Sequence, residues 1–233
     1  MFNSVNPLTI ARTNSALWVK ICGLMEPTQA VAIARQGASA IGFIAVPSSP
    51  RYVTPRQMRT LSEALLAAGF SAVERVGVFV NADLNQLRAA IATGRLTTVQ
   101  LHGQESPASC QQVRQAFPDI QLIKAFRIRT AADLLSVVPY EPVVDAILLD
   151  AYHPQLQGGT GETLDWRSLS AFRPEKPWIL AGGLTPENVT TALDLLSPQG
   201  IDLSSGVETS PGNKCLMKTQ TLFAALPGQV SMP

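Results

Sequence analysis

Cys22 and Asp150 each close a short apolar run, Val19-Lys20-Ile21-Cys22 and Ile147-Leu148-Leu149-Asp150, and each carries a group that can take or give a proton. His102 ends a third run, Val99-Gln100-Leu101-His102, and Asp202 lies in a fourth, Ile201-Asp202-Leu203. Side chains along a strand alternate between two faces. Lys20 and Cys22 therefore share one face, opposite Val19 and Ile21. Leu148 and Asp150 likewise oppose Ile147 and Leu149, and Gln100 and His102 oppose Val99 and Leu101. The fully apolar faces suit helix packing, which turns Cys22, Gln100, His102 and Asp150 the other way. A strand cysteine is ordinarily a small buried hydrophobe, but Cys22 ends its run, precedes Gly23 and shares a face with Lys20. As a base, a thiol of ordinary pKa near ~8.5 must gain thiolate character, and Lys20 is the candidate cation. As an acid, a carboxyl of ordinary pKa near ~3.9 must be kept protonated at neutral pH, which partial burial or a ligand's own charge achieves. A lone strand-end aspartate is also an ordinary turn residue.

Two further segments have the composition of an anion site. Gly182-Gly183 and Ser204-Ser205-Gly206 follow apolar runs, and glycine-rich turns can aim backbone N–H groups at a phosphate with no side chain in the way. A tight strand-to-helix turn needs the same glycines, and both uses are compatible.

What must position these residues is a repeated unit. Strands are expected at 17–22, 39–44, 75–80, 97–101, 121–125, 145–150, 178–181 and 201–204, with helices between them, for example at 28–35, 55–66, 84–92 and 107–116. The fifth helix, near 131–137, is expected to be short. Apolar strands alternating with amphipathic stretches predict an α/β protein with a parallel sheet. Eight units undivided by a Pro/Gly/Ser-rich linker fit a single (β/α)8 TIM barrel over residues 17–226, with tails at 1–16 and 227–233. An open doubly wound sheet is the alternative, weakened because no G-x-G-x-x-G turn follows the first strand. In a barrel the strand ends and the loops after them carry the chemistry, and the polar residues above fall there.

Composition agrees with a globular, soluble chain. Of 233 residues 46% are hydrophobic and 15% charged, and 18 basic against 17 acidic residues leave a net charge of +1. No global field draws the chain to nucleic acid or to an anionic membrane, so an anionic ligand must be held locally. Three cysteines, Cys22, Cys110 and Cys215, are an odd number without paired spacing, which predicts neither a disulfide nor a zinc framework and suits a reducing cytoplasm. No run approaches the ~18 apolar residues of a spanning helix, and residues 1–16 lack the compact apolar segment of a secretory signal.

The motifs together resemble phosphoribosylanthranilate isomerase. They are Val-Lys-Ile-Cys-Gly at 19–23, Ser-Pro-Arg-Tyr at 49–52, Val-Gly-Val-Phe-Val-Asn at 76–81, Val-Gln-Leu-His-Gly at 99–103 and Leu-Leu-Asp at 148–150. Further along stand Gly-Gly-Thr-Gly at 158–161, Ala-Gly-Gly-Leu at 181–184 and Asp-Leu-Ser-Ser-Gly-Val-Glu at 202–208 before Pro211-Gly212. The resemblance runs from about Val19 to Lys214 and implies a barrel that performs an Amadori rearrangement on a small phosphorylated sugar without a cofactor or metal. It assigns the base to Cys22, the acid to Asp150 and the substrate's carboxylate to Arg51, whose guanidinium can pair it with two parallel hydrogen bonds. It places the phosphate on Gly182, Gly183, Ser204, Ser205 and Gly206, and leaves His102 and Asp202 to the sugar or the aromatic ring. Gly158–Gly161 is a candidate mobile loop. A monomer or a homodimer is expected. Other phosphosugar barrels fit less well. An epimerase would need paired histidines as metal ligands, and His102 and His153 are the only two in the chain. An indole-glycerol-phosphate synthase relies on a lysine and two glutamates, and an isomerase shared with the histidine pathway would carry an acidic pair where Cys22 stands. A non-catalytic phospholigand barrel would have no use for Cys22 and Asp150. One departure is Cys215, which follows Lys214 where the family usually has Asp. If that position caps the last helix, the loss is expected to cost about 0.5–2 kcal/mol.

Overall fold

The computed structural model describes residues 17–151 and 166–226. The expected tails at 1–16 and 227–233, and the glycine cluster at 158–161, lie outside the described residues.

Eight parallel strands close on themselves: β1 (Trp18–Cys22), β2 (Ala40–Ile44), β3 (Glu74–Phe79), β4 (Thr98–Leu101), β5 (Gln121–Ile128), β6 (Ala146–Ala151), β7 (Trp178–Ala181) and β8 (Gly200–Leu203), with β8 pairing back onto β1. The alternation of faces is realised as two separate apolar layers. Trp18, Ala40, Val76, Ile123, Ala125, Ala146, Leu148, Ile179 and Ala181 pack inside the barrel. Val19, Ile21, Ile147, Leu149, Val99 and Leu101 belong instead to the larger cluster that the helices cover. Lys20, Cys22, Gln100 and Asp150 therefore alternate with outward apolar residues along their strands, as the two-residue period requires.

The helices begin where local chemistry supplies caps. α1 (Pro27–Arg35) and α2 (Pro55–Ala67) open with proline, whose missing N–H costs nothing in the first turn. Thr54 caps α2 and Asp83 caps α3 (Leu84–Gly94), each in a reciprocal box with a glutamine three residues on. Ser106 caps α4 (Pro107–Ala116) through the Ser109 amide. The expected fifth helix is instead two 3-10 stretches, Ala131–Ser136 and Val138–Val143. Pro139 and Pro142 lack the N–H that α-helical i→i−4 bonding needs, so the tighter pattern prevails there. The remaining α-helices among the described residues are α5 (Val189–Leu195) and α6 (Leu216–Ala225). A short antiparallel pair, β9 (Glu208–Ser210) and β10 (Asn213–Lys214), fills the connection from β8 to α6. None of the helices described is long and apolar enough to cross a membrane.

Cys215 does occupy the N-cap of α6, and its side chain makes no capping hydrogen bond. Cys215→Asp is therefore expected to stabilise the protein by about 1 kcal/mol, because the carboxylate can accept an orphan first-turn N–H and faces the positive helix end. Urea titration would register this as a higher midpoint at unchanged slope. An unaltered midpoint would mean that the helix start is already satisfied by other groups.

Candidate active site

The C-terminal ends of the strands surround a cavity of about 230 Å³. Cys22 from β1, Asp150 from β6, His102 after β4 and Asp202 from β8 line it, as do Gly182 and Gly183 after β7 and Ser204, Ser205 and Gly206 after β8. Nine of the ten residues expected at the site thus meet on one surface. The tenth, Arg51, lies beside Cys22 and packs its aliphatic stem over Gly23, its Cδ 2.7 Å from where a Cβ there would stand. Gln100 also faces the cavity, in agreement with the parity of β4.

β1 and β2 meet in register at Cys22 and Gly42. A Cβ on Gly42 would come within 2.7 Å of the Cys22 sulfur and 3.0 Å of Lys20 Cε, so the glycine leaves the space that the thiol and lysine occupy. Lys20 is wholly buried and its Nζ donates to Asp202 Oδ2 at 2.6 Å. Burial works against the ammonium charge, but Asp202 and Cys22 outweigh it, and Lys20 stays protonated. The expected effect on Cys22 is present in direction and smaller than required. Burial pushes the thiol up, Lys20 pulls it down, and burial wins. The thiol is therefore the resting form in the unliganded protein, with Lys20 limiting the rise.

Three buried polar atoms on the cavity's residues have no hydrogen-bond partner among the described residues: Gln100 Oε1, His102 Nε2 and Asp202 Oδ1. Buried polar atoms are nearly always satisfied, so three around one cavity mark it as a place for a polar ligand. His102 Nε2 lies 3.4 Å from Asp150 Oδ2 without the alignment of a hydrogen bond, and its Nδ1 is 3.4 Å from Gln100 Nε2. Across the mouth, the backbone at Gly182 and Gly183 takes φ of 93° and 64°, the left-handed region that glycine adopts without penalty. Gly206 approaches so closely that a Cβ on it would overlap the Leu184 carbonyl oxygen. These two turns give the β7–β8 side of the cavity a wall made largely of main chain.

Arg51 is less free than its sequence context suggests. Its Nε donates to Glu208 Oε1 at 2.9 Å and its Nη2 to Glu208 Oε2 at 2.6 Å, which leaves Nη1 outside the pairing. Glu208 also accepts from Lys214 Nζ at 2.6 Å and from the Gly212 amide at 3.1 Å. Burial alone would raise the Glu208 carboxyl, yet the bonds from Arg51 and Lys214 hold it down at about 2. Glu208 ends a motif quoted above and Lys214 ends the stretch of resemblance, but nothing in their spacing ties them to Arg51.

A closed barrel whose strand ends bring a thiol, a carboxyl and glycine-rich turns to one cavity has the architecture of a (β/α)8-barrel enzyme. Residues 19–225 match the family described as N-(5'phosphoribosyl)anthranilate (PRA) isomerase, and the chain belongs to that family. It is 58% identical over 210 residues to the N-(5'-phosphoribosyl)anthranilate isomerase of Synechococcus elongatus, covering 90% of this chain and 96% of that one. To its counterpart in Nostoc punctiforme it is 50% identical over 208 residues, covering 89% and 97%. The crystal structure of phosphoribosyl anthranilate isomerase from Thermotoga maritima superposes with a TM-score of 0.80 at 34% identity, over 90% of this chain and 98% of that one. A structure of the enzyme in complex with reduced 1-(o-carboxyphenylamino)-1-deoxyribulose 5-phosphate gives 0.78 at 33% identity over the same shares.

Proposed function

We propose that this chain catalyses the Amadori rearrangement of N-(5-phosphoribosyl)anthranilate to 1-(2-carboxyphenylamino)-1-deoxyribulose 5-phosphate, a step of tryptophan biosynthesis. The observation that carries the assignment of roles is the convergence of Cys22, Asp150 and the two main-chain turns on one cavity. Asp150 gives its proton to the furanose ring oxygen, the C1–O bond opens, and the nitrogen lone pair forms an iminium. Cys22, as thiolate, takes the proton from C2, and the C–H electrons neutralise the iminium to give an enolamine, which tautomerises to the ketone. Acid and base act on two sides of one sugar, which suits groups on β1 and β6.

The phosphate sits against Gly182, Gly183, Ser204, Ser205 and Gly206, where a barrel offers N–H groups after its seventh and eighth strands. Asp202 Oδ1 and His102 Nε2 take sugar or ring contacts. Their orphaned state in the unliganded protein supports this reading. The reaction runs in the cytoplasm, in a monomer or a homodimer, and uses no cofactor. Purified protein mixed with freshly made phosphoribosylanthranilate should quench the substrate's fluorescence. No loss of signal at micromolar enzyme would overturn the proposal.

Arg51 is the carboxylate's partner in this reading, through the Nη side that Glu208 leaves open. Arg51→Ala is expected to raise KM roughly tenfold or more, as the loss of a charge-assisted hydrogen bond implies. Arg51→Lys should recover only part, because a lysine cannot hold Glu208 with two prongs and still present a donor. The effect should depend on the carboxylate. If an analogue lacking that group lost as much affinity as the substrate does, Arg51 would have another role.

A further inference from the structure

Glu208 is not among the residues that line the cavity, yet its bonds reach residues beside it. Its side chain is only 4% exposed. One edge holds Arg51 by two hydrogen bonds, at 2.9 and 2.6 Å. The same carboxylate binds Lys214 Nζ, whose side chain has no exposed surface. Lys214 Nζ in turn donates to the Ser204 carbonyl at 3.2 Å, and the Ser204 hydroxyl donates to the Cys22 carbonyl at 3.1 Å. A single buried carboxylate is therefore bonded directly to the guanidinium after β2 and, through one lysine, to the turn after β8 and the backbone of β1.

A buried lysine and a half-buried arginine around one buried carboxylate leave a local surplus of positive charge, which is a costly arrangement to keep for stability alone. The pattern makes sense if the surplus charge is meant for a ligand. An arginine fixed on its Nε–Nη2 edge has lost its rotamer freedom before substrate arrives, so its remaining N–H groups bind with less entropy to lose.

We infer that Glu208 is a positioning residue, which locks Arg51 in the orientation that meets the substrate's carboxylate and, through Lys214, fixes the Ser204-Ser205-Gly206 turn that meets its phosphate. The inference rests on the functional reading above, and it adds the device that sets the spacing between the two anion sites. Glu208 stays ionised across any working pH, its carboxyl being held at about 2. Its action is therefore constant and not a switch.

A double-mutant cycle tests it, with Arg51→Ala, Glu208→Gln and the double variant compared with wild type in turnover and in calorimetric binding of reduced 1-(o-carboxyphenylamino)-1-deoxyribulose 5-phosphate. Glu208→Gln is expected to weaken binding and raise KM on the order of tenfold, while kcat stays within about threefold, since contacting residues couple by such factors. In the Arg51→Ala background the same change should cost only the smaller part that acts through Lys214, about twofold. Independent losses that multiply would overturn the inference, as they would report a general structural defect. A wild type that binds the compound with this coupling yet turns nothing over would instead count against the functional reading. Should Glu208→Gln fail to fold because Lys214 is left unpaired, Glu208→Gln/Lys214→Met removes both buried charges and serves in its place. Inorganic phosphate reads the other arm: its competitive inhibition should weaken in Lys214→Met and be unchanged in Arg51→Ala. Equal inhibition of both variants would remove the link to the phosphate turn.

Discussion

Cys22→Ser is expected to lower kcat by ~10²–10⁴-fold, the usual range for a general base, while the reduced product analogue binds nearly as before. The hydroxyl is close in size to the thiol and fits the space that Gly42 leaves beside Lys20. It is a far weaker proton acceptor at neutral pH, so the loss falls on chemistry and not on binding. The pH dependence carries a second expectation. Burial raises the Cys22 thiol above its ordinary value, and Lys20 works in the opposite direction. In the free enzyme the thiolate is therefore the minor form at neutral pH, and the limb of kcat/KM that belongs to the thiol should lie above the ordinary thiol range near ~8.5. Lys20→Met removes the one neighbour that pulls hardest toward thiolate, so it should move this limb to higher pH and lower the rate at pH 7. A Cys22→Ser variant retaining more than half of the wild-type rate would take the base role away from this residue.

The parity of the strands was enough to place Cys22, Gln100, His102 and Asp150 on the cavity. A two-residue period on runs such as Val19–Cys22 and Val99–His102 separates an outer apolar face from an inner one that carries the polar residues, and the barrel keeps an outer and an inner apolar cluster apart. Sequence reasoning fails where the outcome depends on which distant groups meet. Arg51 and Glu208 lie 157 positions apart, and their pairing follows from the way the loops after β2 and β8 fold over β1. No local spacing encodes it. The net shift at Cys22 was illegible for a related reason: its sign is a contest between burial and Lys20, and only the packed barrel fixes how completely the thiol is buried. The short helix expected near 131–137 is present at Ala131–Ser136, but its 3-10 type and the second 3-10 stretch with Pro139 and Pro142 just beyond it were not legible from the spacing.

Asp150→Asn should have the second large effect, a loss of most turnover, ~10²-fold or more. The amide keeps the shape of the carboxyl and a hydrogen-bond donor, but it has no proton to transfer to the ring oxygen. Binding of the reduced product analogue should therefore stay close to wild type. In wild type the profile of kcat/KM should be bell-shaped, with one limb from each catalytic group. In Asp150→Asn the acid's limb should vanish while the thiol's limb survives, because Cys22 and Lys20 sit on β1 and are not bonded to Asp150. His102 is the near neighbour, with Nε2 3.4 Å from Asp150 Oδ2 and Nδ1 3.4 Å from Gln100 Nε2. Asp202 is the other carboxyl on the cavity: burial pushes it up more than Lys20 pulls it down, but its Oδ2 is already engaged by a 2.6 Å bond from Lys20. A normal rate in Asp150→Asn, or a profile unchanged in both limbs, would nevertheless transfer the acid role to Asp202, and Asp202→Asn would then be the variant that abolishes turnover.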